Sequence, residues 1–137
     1  MAEITYSNFN AKDLSVRALP DLLVHIEADL KILDRGEVIY SEVAFPVAEL
    51  ARELARWIAS LDDGASDFAF SSMSFEEAGA VEVIATPRGW SLGSVFVPGV
   101  RSQPVAQADM VTMLNGFIAR VLRDVDEIGL DSSMILP

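Results

Sequence analysis

Two groups of polar residues have the types and spacing that catalysis needs. Glu76 and Glu77 are adjacent carboxylates, and paired acids perform acid–base catalysis when burial splits their pKa values. Neighbouring side chains on a strand point to opposite faces, so we interpret this pair as a solvated turn. His25 is the single histidine and lies two residues before Glu27, a pair that can act as a general base.

A nucleophile to accompany His25 is not evident in the sequence. No nucleophile-elbow pattern surrounds Ser71, Ser72 or Ser91, and one histidine cannot supply the usual zinc ligands. A hydrolase-like enzyme that uses His25 with Glu27 is therefore our third hypothesis, and we favour a structural or surface histidine.

The loop "DDGASD" holds oxygen ligands of the kind that calcium prefers. They are Asp62, Asp63, Ser66 and Asp67, but their spacing does not match an EF-hand loop. The chain has no cysteine, which excludes disulfides and thiolate metal sites, and "GWSLG" lacks the spacing of a phosphate-binding loop. We predict no metal, no cofactor and a non-enzymatic function.

Composition limits the partners that the chain can take. Its 137 residues suit a single domain, 1–137, and its formal net charge is −11. This charge repels nucleic acid and anionic membranes, and it favours a basic protein partner, although solubility alone also explains it. No signal peptide or membrane span is evident, so we expect a cytoplasmic protein, either a monomer or a homodimer.

The stretch "LVHIEADLKILDRGEVIYSEVAF" predicts a β-hairpin with its turn at Arg35-Gly36. Placing Asp34 opposite Glu37 pairs Ile32 with Ile39 and creates an apolar face. The full set of predicted apolar pairs is Ile32–Ile39, Leu30–Ser41, Ala28–Val43 and Ile26–Phe45. The opposite, polar face carries His25, Glu27, Asp29, Lys31, Tyr40, Glu42 and Ala44.

This polar face is the predicted partner-binding surface. Glu27, Asp29, Tyr40 and Glu42 interleave carboxylates with an aromatic ring, which suits a basic partner. The solvated face of an antiparallel sheet is also commonly charged, so the alternative is a face without a partner.

The remaining elements predict an α+β domain. Residues 47–61 have helical periodicity, with Pro46 near the first turn; 67–97 predict a three-stranded meander in which Ala85 lies opposite Trp90; and a second helix is expected over 104–128. We expect one antiparallel sheet, formed by the hairpin and the meander, with both helices packed on one face, in the order ββαβββα. Residues 1–20 are ambiguous, although Ile4 and Tyr6 favour a short strand.

A second functional hypothesis is a small-ligand-binding domain. An apolar pocket between the sheet and the two helices would be lined by Trp90, Phe96, Met110, Met113 and Phe117.

Three stretches carry a resemblance to a known family. "FPVAELARELARWI", "DFAFSSMSFEE" and "GWSLGSVFVPG" resemble a family of small acidic actinobacterial proteins classed as a domain of unknown function. The resemblance implies a bacterial single-domain protein and assigns no catalytic residues. In size, charge and α+β character the chain is also similar to the immunity proteins of bacterial toxin systems. Our leading hypothesis is therefore an acidic protein-binding domain, in particular an immunity protein that neutralises a basic toxin.

Overall fold

Six β-strands and three α-helices occur in the part of the chain that the structure, a computed structural model, describes: residues 1–64 and 66–137. In chain order they are β1 (Ala2–Asn10), α1 (Leu19–His25), β2 (Glu27–Asp34), β3 (Glu37–Phe45), α2 (Val47–Ser60), β4 (Phe68–Ala69), β5 (Glu82–Thr86), β6 (Gly89–Gly93) and α3 (Gln107–Glu127). Short 3₁₀ turns follow α2 at Leu61–Asp63 and α3 at Ser132–Met134. The predicted α+β class is confirmed. Of the loop predicted at 62–67, Ala65 lies outside the described residues.

The strands form two antiparallel sheets instead of the single sheet that we predicted. The first has the strand order β1-β2-β3 and the second β4-β5-β6. Sequence periodicity shows which side chains of a strand face the core, but it does not show which strands pair. Because β1 occupies the edge of β2, the hairpin and the meander cannot join through that strand.

The N-terminal 25 residues contain a strand and a helix. Ala2, Ile4 and Tyr6 are buried on one side of β1, which confirms and lengthens the short strand predicted there. Pro20 lies in the first turn of α1, where a helix does not need the backbone N–H that proline lacks. The observed order is therefore βαββαβββα, and His25 ends a helix instead of lying on the hairpin face.

The predicted register of the hairpin is correct at its turn and wrong beyond it. Asp34 pairs with Glu37 as predicted, but Ile32 pairs with Tyr40 and Ala28 pairs with Phe45. Two bulges in β3 each insert one extra residue, so the register moves twice along the strand. As a result Tyr40 shares the core face with Ile32 and is only 6% exposed.

The meander is shorter than its sequence pattern predicts. Ala85 lies opposite Trp90, as predicted, but the first strand is only the two residues of β4. Between β4 and β5 the chain turns irregularly; there the Phe70 N–H donates to the carbonyl of Val81 at 2.9 Å, and the Gly79 N–H donates to that of Phe70 at 2.8 Å. These bonds satisfy the backbone without a regular ladder.

Both predicted long helices are present and supply most of the helical core. The second begins at Gln107, three residues later than predicted. The buried side chains of α2 are Val47, Ala48, Leu50, Ala51, Leu54 and Trp57, and those of α3 are Met110, Leu114, Phe117, Ile118, Val121 and Val125. None of the helices in the described part of the chain has both the length and the apolar character that a membrane span needs.

A polar cluster fastens α3 to β1. The hydroxyl of Tyr6 donates to Asp124 Oδ2 at 2.5 Å, and the guanidinium of Arg120 lies 3.9 Å from the centre of the Tyr6 ring. Arg120 also donates to Thr5 Oγ1 at 3.0 Å and to the carbonyl of Tyr6 at 2.7 Å. The pKa of Tyr6 is raised chiefly because the phenol is buried, and secondly because it donates a hydrogen bond to Asp124. The phenol therefore stays protonated and keeps donating at any physiological pH.

We expect Tyr6→Phe to lower the free energy of unfolding by about 1.5–3 kcal/mol, because it removes a hydrogen bond to a charged group. The matched control is Tyr40→Phe. The Tyr40 hydroxyl lies 3.5 Å from Glu42, so this change should cost only about 0.5–1.5 kcal/mol. Urea unfolding measures both, and equal losses would show that the Tyr6–Asp124 bond adds nothing beyond an ordinary contact.

Two glycine substitutions should have opposite effects. A Cβ at Gly89, where φ is +133°, would lie 2.4 Å from the carbonyl oxygen of Val105, whereas a Cβ at Gly116 in α3 meets no atom within 4 Å. We expect Gly89→Ala to destabilise by more than about 1 kcal/mol and Gly116→Ala to stabilise by about 0.5–1 kcal/mol. Thermal unfolding of the two variants checks the signs. A neutral Gly89→Ala would contradict the close approach of β6 to the segment that holds Val105.

Candidate functional site

Three of the four residues predicted to bind a partner line two neighbouring surface cavities. Glu27 and Asp29 lie on the solvent side of β2, because they alternate along the strand with the buried residues Ala28, Leu30 and Ile32. Glu42 is half-buried at the edge formed by β3. Tyr40 is buried and lines neither cavity, because the bulge at Ile39 turns it to the core. The structure therefore separates Tyr40 from Glu27 and Asp29, although its hydroxyl lies 3.5 Å from Glu42 Oε2.

The two cavities adjoin each other and share two residues, Asp29 and Val43. One has a volume of about 430 Å³ and is lined by Ser7, Asp29, Leu30, Lys31, Ser41, Glu42 and Val43. The other has about 500 Å³ and is lined by Asn8, Asn10, Lys12, Asp13, Glu27, Ala28, Asp29, Val43 and Ala44. We call the residues that line these two cavities the Asp29 face.

The carboxylate of Asp29 holds together two bulges on opposite sides of β2. The side-chain amide of Asn8, in β1, donates to Oδ2 at 2.6 Å, and the backbone N–H of Ala44, in β3, donates to Oδ1 at 3.2 Å. Both donors have left-handed backbone, with φ of 55° at Asn8 and 52° at Ala44. The register shifts between Ser7 and Asn10 in β1 and opposite Ala28–Leu30 in β3. Asp29 therefore determines the local shape of this face.

These hydrogen bonds also set the ionisation of Asp29. Its pKa is lowered chiefly by the hydrogen bond from Asn8 and secondly by the one from Ala44, because both donors stabilise the charged form. Asp29 stays ionised well below neutral pH, so the bulges keep their acceptor under physiological conditions.

Val43 and Ser41 are residues of this face that sequence reasoning placed wrongly. We predicted both on the apolar face of the hairpin, but Ser41 pairs with Lys31 and is exposed. The bulge at Ala44 turns the side chain of Val43 outward, where it is 73% exposed. Asn8 carries a detectable signal, because asparagine adopts left-handed backbone more readily than most residues. Ala44 carries none, since alanine rarely takes that conformation.

The charge of the Asp29 face follows that of the whole chain. Four carboxylates, those of Asp13, Glu27, Asp29 and Glu42, lie among two ammonium groups, those of Lys12 and Lys31, for a formal net charge of −2. The exposed Val43 lies between them, at the boundary of the two cavities. The face thus combines an apolar centre with an acidic border.

The residues predicted to line a ligand pocket are dispersed. Trp90 packs edge-to-face against Trp57 with ring centres 5.3 Å apart, whereas Phe96 packs against Tyr40 and Phe75. Met110 and Phe117 lie on the side of α3 that faces the protein core and are buried, and Met113 is half-buried. Five surface cavities of the protein are all lined by other residues.

Most of the remaining chemical candidates are exposed side chains. Glu76 and Glu77 are exposed, and Asp67 accepts a hydrogen bond from the backbone N–H of Ala85 at 2.9 Å. Within residues 1–64 and 66–137 no three histidine, cysteine or acidic residues are grouped to hold a metal ion.

A half-buried pair that the sequence did not predict is Glu49 and Ser72. The Ser72 hydroxyl donates to Glu49 Oε1 at 2.5 Å, and burial raises the pKa of Glu49. The pair ties the start of α2 to the turn after β4. Its residues are distant in sequence, so spacing alone could not show it.

We expect Asp29→Asn to destabilise the fold near pH 7, and the difference from wild type to shrink in acid. The stabilisation from ionised Asp29 is complete above the pKa of an unfolded aspartate, about 4, and is lost as the pH falls through the lower folded-state pKa. Urea unfolding at several pH values measures the difference. The control is Glu77→Gln in an exposed turn, which should match wild type throughout. A difference that does not vary with pH would contradict the assignment.

Comparison with known proteins places the chain in one family. A search of curated proteins and a search of solved structures found no match. A family model matches residues 2–127, nearly the whole of the 137-residue chain. The prediction of a family without assigned function is confirmed: this chain belongs to the family described as Domain of unknown function (DUF7878).

Proposed function

We propose that this protein is a non-enzymatic protein-binding domain and that a basic protein docks on its Asp29 face. The observation that supports this most directly is Val43, a 73% exposed apolar side chain between two cavities that carry four carboxylates. The form of this function that we favour is an immunity protein, which neutralises a basic bacterial toxin by covering its active surface.

The layout of the Asp29 face resembles that of a small interface. Protein interfaces commonly have a desolvated centre and a polar border, and few residues supply most of the affinity. Val43 offers the centre because it borders both cavities, while Glu42 lines one of them and Glu27 lines the other. A lysine or arginine of the partner can lay its methylene groups on Val43 while its charged end meets a carboxylate.

The rigidity of this face also favours binding. Asp29 holds the bulges of β1 and β3 through hydrogen bonds of 2.6 and 3.2 Å. A surface that is ordered before association loses little conformational entropy when the partner arrives. The bulges also interrupt the edge of β3, which disfavours uncontrolled strand pairing.

The charge of the whole chain acts at longer range. A formal net charge of −11 attracts a basic protein before contact and speeds association at low salt. Association should therefore slow as ionic strength rises and the Debye length shortens.

A second candidate function, the binding of a small apolar ligand, is supported by a different cavity. It has a volume of about 450 Å³, lies between the end of β1 and the end of α3, and is lined by Phe9, Asn10, Ala11, Leu14, Ser15, Arg17, Ile128 and Leu130. This volume is within the usual range for small-molecule sites. This alternative predicts binding that leaves the Asp29 face unchanged.

The test begins with the partner, captured from native lysate at low salt and identified by mass spectrometry, and then uses purified proteins. We expect the double variant Glu27→Lys/Glu42→Lys to slow association with that partner by roughly tenfold or more at low salt, because it reverses two charges of the docking face. The matched control, Asp109→Lys/Glu127→Lys, makes the same change in net charge on exposed positions of α3. Equal slowing by both pairs would assign the effect to net charge and overturn the docking face.

Val43 is tested by dissociation instead of association. We expect Val43→Ser to speed dissociation from the same partner, whereas Val16→Ser, at another exposed valine, should not. The immunity form further requires that wild type abolish the toxic activity of the partner in coexpression and that Val43→Ser restore part of it. A captured partner whose toxicity is absent or unaffected would reject the immunity form and leave docking to be judged by the kinetics.

A further inference from the structure

A second exposed apolar surface lies where the β2–β3 turn meets the segment that follows β6. Val38 is 53% exposed and Val100 is 50% exposed, and both line one surface cavity. Phe96, in the same segment as Val100, is 45% exposed, and its ring packs against that of Tyr40 with centres 6.2 Å apart. Exposed apolar side chains that lie together commonly mark a site of interaction with another protein.

The exposed charges beside these side chains cancel. Asp34 and Arg101 also line the cavity, but Asp34 lies 3.7 Å from the N-terminal ammonium group and Arg101 pairs with Glu82 at 2.6 Å. Arg35 and Glu37 are exposed, and no ion pair among the described residues includes either of them. One positive and one negative group are therefore free to meet a partner, on a chain whose net charge is −11. We call the exposed residues Arg35, Glu37, Val38, Phe96 and Val100 the Val38 surface.

A surface of this kind suits a second copy of the same chain. A basic partner needs an excess of carboxylates, which the Asp29 face has and the Val38 surface lacks. Arg35 and Glu37 lie on either side of Gly36 in the hairpin turn. A two-fold axis near Gly36 would place Arg35 of each copy opposite Glu37 of the other, since a two-fold interface pairs the same patch with itself. The same axis would bring the two Val38 side chains together.

The position of β3 leaves this surface open. β3 is an edge strand of the first sheet, and in the part of the chain that the structure describes no strand pairs with its outer side. The other edge, β1, is fastened to α3 through Arg120. A bulge at Ile39 interrupts the ladder beside Val38, so we expect a contact between side chains instead of a continued sheet.

We propose that the Val38 surface is the interface of a weak homodimer. Its three apolar side chains form the centre, and Arg35 and Glu37 form two reciprocal ion pairs at the border. Because the surface is small compared with a standard interface, we expect a dissociation constant of about 10–100 μM. The Val38 surface shares no lining residue with the Asp29 face, so this inference does not rest on the protein-binding function proposed above.

The experiment is sedimentation equilibrium of the whole chain at about 5–500 μM protein, in about 20 and 200 mM NaCl. We expect a monomer–dimer equilibrium that shifts toward the dimer as salt is added, because each copy carries −11 and salt screens the repulsion between copies. The exposed ion pairs are worth too little to reverse this trend. A basic partner on the Asp29 face responds to salt in the opposite direction. A chain that stays monomeric at the highest protein concentration in both salts would overturn the proposal.

A charge swap tests the reciprocal pairs. Glu37→Arg places two arginines opposite each other in both halves of the contact, so we expect dimerisation to weaken roughly tenfold. Adding Arg35→Glu restores opposite charges and should restore most of the affinity. The control Glu127→Arg, at an exposed position of α3, changes the net charge by the same amount and should not weaken the dimer. Equal effects of Glu37→Arg and Glu127→Arg would contradict the assignment.

The apolar centre is tested separately from the Asp29 face. Val38→Asp should abolish the dimer over the measured concentrations, whereas Val43→Ser should leave it unchanged. Both side chains are exposed, and urea unfolding checks that both variants remain folded. A dimer that persists in Val38→Asp but dissociates in Val43→Ser would move self-association to the Asp29 face and reject the Val38 surface.

Discussion

The structure depends on the way in which β2 is held between two irregular neighbours. It is the central strand of its sheet, and within Glu27–Leu30 the register with each neighbour moves by one residue. An extra residue on one strand of a ladder leaves backbone groups unpaired and bends the strand. Asp29 compensates on both sides with a single carboxylate, which accepts from Asn8 and from Ala44. This ionised group therefore maintains two left-handed residues that would otherwise be unfavourable.

The register of β3 determines both surfaces of the first sheet. On the inner side it turns Tyr40 toward the core, where its ring packs against Phe96 with centres 6.2 Å apart. On the outer side it exposes Val43. The pKa of Tyr40 is raised to about 12, chiefly because the side chain is buried and secondly because of the negative charge of Glu42. Its hydroxyl thus stays neutral inside the protein.

Aromatic packing joins the two sheets in place of shared strand pairing. The rings of Phe70, Phe45, Phe75, Phe96 and Tyr40 form a continuous chain, with successive centres 5.4–6.2 Å apart. Each aromatic pair stabilises the fold by more than the burial of its apolar area alone would.

The sequence by itself determined the elements with strong periodicity and local turn chemistry. These are the α+β class, the α2 helix, the Asp34–Glu37 turn and the Ala85–Trp90 register, all of which depend on residues that are close along the chain. Only the tertiary structure decided the division into two sheets, the burial of Tyr40 and the exposure of Val43. Each of these depends on a bulge or on a contact between distant residues. Hydrophobic periodicity assumes a regular ladder, so a single inserted residue reverses the face of every side chain that follows it.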